Sequence, residues 1–169
     1  MLDLRIQQHF IDSADLHYQV AETLAKPVDA AVQAIQASVT GGGKILVGGM
    51  GPSNALAQYL VNLLVGGFER DRPGLAALCL GADALMATRW SDGQAIAKQV
   101  LALGQTGDVL VLISINGSET ALVEAVQAAH EREMSVLALT GHQGGALGRQ
   151  LRETDVHVCV PHERAARIC

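Results

Sequence analysis

The chain is 169 residues long, 49% hydrophobic and 17% charged, with a formal net charge of −5. That length suits one domain with a substantial core, and that composition excludes intrinsic disorder. The acidic balance argues against direct nucleic-acid binding or attachment to an anionic membrane, and no apolar run reaches the ~18 residues of a membrane span.

Taken in order, residues 3–25 place Leu4, Ile6, Phe10, Leu16, Val20 and Leu24 at mostly helical spacing, which predicts an amphipathic helix. Pro27 suits the first turn of a second helix, with Val28, Ala31, Val32, Ile35 and Val39 as its buried face. An N-terminal helical pair is therefore expected, closed by Gly41–Gly43. The short apolar run Ile45–Val47 predicts a strand, and Gly48-Gly-Met-Gly51 a turn. Pro52-Ser-Asn54 then opens a long apolar helical pattern. A charged connector, Glu69–Pro73, leads to a second predicted strand, Leu75–Leu80. Residues 84–88 suit a short helix, and Gln94–Leu103 a longer one.

Further strands are predicted at Val109–Ile113, Ser135–Leu139 and Val156–Val160. Between them Ser118 is placed to cap a helix running through Arg132, and Gly145 to Arg152 forms a shorter helix. Strands apolar at nearly every position, alternating with helices, indicate a parallel sheet covered on both faces. The predicted fold is α/β: a single three-layer α/β/α sandwich of doubly wound, flavodoxin- or Rossmann-like type around five parallel strands. Cys79, Cys159 and Cys169 lack metal-site spacing, and the first two read as reduced core residues of a cytoplasmic protein.

In such folds ligands sit beyond the C-terminal ends of the strands. Candidate ligand groups there are Gly49, Gly51, Ser53 and Asn54 after the first strand, and Ser114, Asn116, Gly117 and Ser118 after the third. Asp83 follows the second strand, in reach of a sugar hydroxyl or of the next helix cap. Helix N-termini behind such turns favour an anion such as phosphate. Thr140, Gly141 and His142 read as a structural loop, and Trp90 with Arg89 as packing. The six histidines form no evident metal cluster. A dinucleotide reading fails, because Gly49–Asn54 lacks the third glycine and no acidic residue ends the second strand at the right distance.

With these segments in view the chain resembles the sugar isomerase (SIS) domain, in the group that includes phosphoheptose isomerases and the DnaA initiator-associating proteins. The resemblance is carried by Gly49-x-Gly-x-Ser53, Phe68–Gly74, Lys98–Gly104, Gly107–Leu110, Leu139–Gly141 with Gly144-Gly145, and Val160–Ile168. It implies a phosphorylated sugar as ligand, a homodimer or homotetramer, and DnaA as a possible partner. The isomerase members convert sedoheptulose 7-phosphate by proton transfer beside the carbonyl, with a histidine and a glutamate four residues apart on the first long helix after the turn. Zinc is held there in many members. The matching positions are Tyr59 and Leu63, so neither the acid–base pair nor the zinc ligands are expected.

The chain departs from the family pattern elsewhere too. Met50 and Pro52 replace family turn residues, Glu119 stands where a phosphate-binding serine is expected, and the segment 83–99 is short. A carboxylate at 119 would repel a phosphate, with Ser118 a partial substitute. The pattern continues past Ile168 with glutamine, glutamate and a long helix bearing another histidine, where this sequence has Cys169. That predicts incomplete cover for Ile6, Phe10, Leu16 and Val20, and suits a shortened or frameshifted product. The expected function is phosphosugar binding without catalysis, and no cofactor is expected. The alternatives are an active isomerase using His162 or a neighbouring subunit's residue, and a regulatory partner of DnaA.

Overall fold

The computed structural model describes residues 2–81 and 94–168. Asp83, the short helix expected at 84–88, and the pair Arg89 and Trp90 lie outside the described residues. Five strands, β1 (Ile45–Gly49), β2 (Ala77–Cys79), β3 (Val109–Ser114), β4 (Ser135–Thr140) and β5 (Val156–Cys159), form one sheet in the order β2-β1-β3-β4-β5. Every pairing is parallel. β2 is shorter than expected. Only Ala77, Leu78 and Cys79 pair with β1, and Leu78 is largely exposed because β2 lies at the sheet edge.

Alternation along the strands divides the core in two. Leu46, Leu110, Leu112, Val136 and Ala138 face α3 (Ala95–Leu103), α4 (Thr120–Glu131) and Leu147 of α5 (Gly145–Gln150). Ile45, Val47, Val109, Val111, Ile113 and Leu137 face the other way, toward Ala31 of α1 (Leu2–Thr40) and Ala57 of α2 (Pro52–Gly66). A short α6 (Ala165–Ile168) follows β5. The three-layer sandwich expected from the sequence is the one observed.

The N-terminal helical pair is not. Residues Leu2–Thr40 form one continuous helix with Pro27 inside it. The reason lies in the spacing: Leu16, Val20, Leu24, Pro27, Ala31, Ile35 and Ser38 fall three or four apart, and each is at least partly buried. That single stripe runs through the proline, so packing on the sheet holds the helix together where local preference would end it. Val28 and Val32, expected to be buried, point away from the stripe and are 45% and 55% exposed.

Ion pairs and caps fix the far end of the sheet from the candidate site. Asp108, 2% exposed, accepts the Lys44 backbone N–H at 2.9 Å, the Lys44 ammonium at 2.5 Å and the Gln105 N–H at 2.9 Å, stapling β1 to β3. Asp155 similarly binds His130 at 2.7 Å and the N–H groups of Val136 and Arg152. Arg72 in the charged connector donates to the carbonyls of Leu63 and Leu64, closing the last turn of α2.

Candidate functional site

The strand order places a switch point between β1 and β3, the position where doubly wound sheets open a crevice for ligands. Gly49 pairs with Ile113 there, so the turn after β1 and the loop after β3 leave the sheet side by side. At Gly49 a Cβ atom would lie 2.6 Å from the Ser53 carbonyl oxygen, and Gly51 holds φ of 54°, so both positions require glycine. Pro52 begins α2 and has no N–H to offer. The Ser53 and Asn54 N–H groups donate back to the carbonyls of Met50 and Gly51, each at 3.1 Å. Ser53 is buried beneath the turn. The Asn54 amide oxygen accepts the Cys79 thiol at 3.6 Å, committing Asn54 to β2, and burial pushes the Cys79 thiol up from its ordinary pKa.

The loop after β3 is bonded within itself. The Ser114 hydroxyl donates to the Glu119 carboxylate at 2.5 Å and accepts the Gly117 N–H at 2.7 Å. The Asn116 side-chain oxygen accepts both the N–H and the hydroxyl of Ser118, at 3.0 and 2.7 Å. Ser118 therefore does not cap α4. The cap position is Glu119, whose carbonyl receives the Leu122 and Val123 N–H groups, because Asn116 has already taken the serine hydroxyl. The helix ends at Glu131, one residue before the expected boundary.

A third loop packs directly on this one. Cβ atoms at Gly117 and Gly145 would overlap the backbone of residues 144 and 116, and Leu147 N–H donates to the Gly117 carbonyl at 2.9 Å. Thr140, the last residue of β4, is buried, with its hydroxyl 2.8 Å from His157 Nε2. Desolvation lowers the His157 pKa, favouring the neutral ring that this contact uses. The sequence reading of Thr140 and Gly141 as structural groups agrees with this packing, but nothing in their spacing announced His157 as the partner.

Tyr59 and Leu63 stand one turn apart on α2, over a cavity of about 430 Å³ whose other walls include Leu56, Ile113, Leu139 and Val158. The cavity is almost wholly aliphatic. Leu63 carries no donor atom, and among the described residues no three histidine, cysteine, aspartate or glutamate side chains converge. The donor set does not fit zinc, which takes nitrogen, sulfur or carboxylate ligands. Among the described residues that line the cavity there is no histidine, aspartate or glutamate to act as a base. His162 lies elsewhere, lining two clefts with Arg164, one of them shared with His142 and the other with Asp12 and Arg167. Its Nδ1 accepts the Arg164 N–H at 2.9 Å, so in the neutral ring the proton sits on Nε2.

The structure thus gathers Gly49, Gly51, Ser53, Asn54, Ser114, Asn116, Gly117 and Ser118 at the switch point and leaves His162 apart. Glu119, which stands where the family pattern has a phosphate-binding serine, is bonded to Ser114 there. The model of the family described as the SIS domain matches residues 8–141. A phosphoheptose isomerase of Methylibium petroleiphilum is 54% identical over 99% of this chain and 86% of its own length. The solved phosphoheptose isomerase of Neisseria gonorrhoeae superposes with a TM-score of 0.92 at 38% identity, over 99% of this chain and 90% of that one. The Francisella tularensis enzyme gives 0.94 at 34% identity with the same coverage. With the family model covering residues 8–141 and a relative 54% identical across nearly the whole chain, the chain belongs to the SIS domain family and resembles phosphoheptose isomerase.

Proposed function

We propose that this SIS domain binds a phosphorylated sugar at the C-terminal ends of β1 and β3 and does not isomerise it. The binding half of the reading is supported by kinship with proteins named phosphoheptose isomerase and by the intact glycine turn at Gly49 and Gly51. The catalytic half rests on one observation. Tyr59 and Leu63, the positions at which the isomerases present an acid–base pair, line a largely aliphatic cavity with no carboxylate or imidazole among its described walls.

Aldose–ketose exchange moves a proton between adjacent carbons, and a positioned acid–base group contributes roughly 10²–10⁴-fold to such a step. Leu63 has no proton to move. The phenol of Tyr59, 60% exposed, has no carboxylate partner among the described residues of the cavity wall. Purified protein is expected to give no conversion of sedoheptulose 7-phosphate above the blank, with or without added zinc. Clear turnover in either condition would overturn this reading.

A further inference from the structure

Resting on the sugar-phosphate reading, we propose that Glu119 decides which end of the ligand faces α4: it closes that end to a phosphate dianion and turns it toward sugar hydroxyls. Four donors of the loop after β3 that a phosphate could use are already engaged within it. Ser114 Oγ–H points to the Glu119 carboxylate, Gly117 N–H to Ser114 Oγ, and both Ser118 donors to the Asn116 side-chain oxygen.

With those four engaged, the charged group that the loop retains is an acceptor, the Glu119 carboxylate. Glu119 is only partly buried, so its carboxylate remains at the mouth of the site, at the cap position of α4. A helix N-terminus favours one anion; here the chain supplies its own. A second anion placed there must displace the Ser114–Glu119 bond and then sit beside a like charge. A hydroxyl group meets no such obstacle, since it donates to the carboxylate. Asn116 in turn holds both Ser118 donors at the exposed rim of the loop.

The test is calorimetric titration of the full chain with sedoheptulose 7-phosphate and with unphosphorylated sedoheptulose. Three proteins are compared: wild type, Glu119→Gln, which removes the charge and keeps an acceptor for Ser114, and Glu119→Ser, which frees the Ser114 hydroxyl. Wild type is expected to bind the two sugars within about threefold of one another. Glu119→Ser is expected to prefer the phosphorylated sugar by about tenfold or more, the scale of one regained charge-assisted hydrogen bond. Glu119→Gln should fall between them, and all three should bind the unphosphorylated sugar alike. A tenfold phosphate preference already present in wild type would overturn the role of Glu119 while leaving sugar-phosphate binding intact. An unchanged preference in Glu119→Ser would do the same. Absence of binding for both sugars in all three proteins would remove the sugar reading itself. Should either variant misfold, the wild-type pair of titrations still decides the matter.

Discussion

His157 shows how one side chain ties the candidate site to the sheet. Its ring meets Thr140 at the end of β4 and underlies Gly144 and Gly148; a Cβ at Gly144 would strike it, and one at Gly148 would crowd it at 3.0 Å. The fold favours the neutral ring because burial lowers its pKa from the ordinary 6.5. The unfolded chain takes up the proton first as pH falls, so it binds more protons than the native state below about pH 6.5. The stability linked to this histidine is therefore present above pH 6.5 and is lost as pH drops toward the depressed native value. Urea midpoints of wild type are expected to fall more steeply between pH 7 and 5 than those of His157→Gln, whose amide keeps a partner for Thr140. Parallel profiles would rule the effect out. At this level the sequence was only half legible. The glycines, serines and Asn116 were visible as strand-end loops, because glycine and small polar residues after an apolar run have few other uses. Their pairing was hidden. Whether Ser114 turns to a ligand or to Glu119 depends on side-chain torsions that no spacing rule encodes.

Helix α1 carries the next lesson. Proline preference placed a boundary at Pro27, but the buried stripe from Leu16 to Ser38 passes through it without a break. Pro27 has no N–H to donate to the Thr23 carbonyl, and a proline in a helix interior costs ~3 kcal/mol relative to alanine. Pro27→Ala is expected to raise stability by about 1–3 kcal/mol, allowing for the greater freedom of the unfolded alanine chain. Thermal and urea unfolding followed by far-UV circular dichroism measure it. A lower midpoint would mean that the proline relieves strain elsewhere in the helix. The strands were easier to read. Buried parallel strands leave no face for polar residues, so Val109–Ile113 declares itself as an uninterrupted apolar run. The edge strand β2 has less to bury, and its extent was overread for that reason.

The α/β alternation made the fold class legible across the chain, and the order of the strands followed once the parallel pairing was known. Association is less visible from one chain. The first half of α1 leaves Leu4 69%, Ile6 47%, Phe10 75% and Ile11 53% exposed, more apolar surface on one helix than solvent-facing helices ordinarily carry. Self-association into a dimer or tetramer is expected at micromolar concentration in sedimentation, and a monomer there would count against it. The Arg167 guanidinium donates to Asp12 at 2.7 Å and helps anchor α6 to this same helix. Gln8 and Arg167 both hold the Asp12 carboxylate below its usual pKa. That anchor lies beside the cleft holding His162.

The backbone contact between residues 116–117 and 144–145 has one more implication. No side chain lies between the two loops, and a glycine stands at each point of closest approach. Side chains act as cushions: they change rotamer and absorb a displacement before it reaches the next segment. Here there is no cushion. A push on the loop after β3 is therefore passed to the backbone of the loop after β4, and through Gly144 toward His157 on β5.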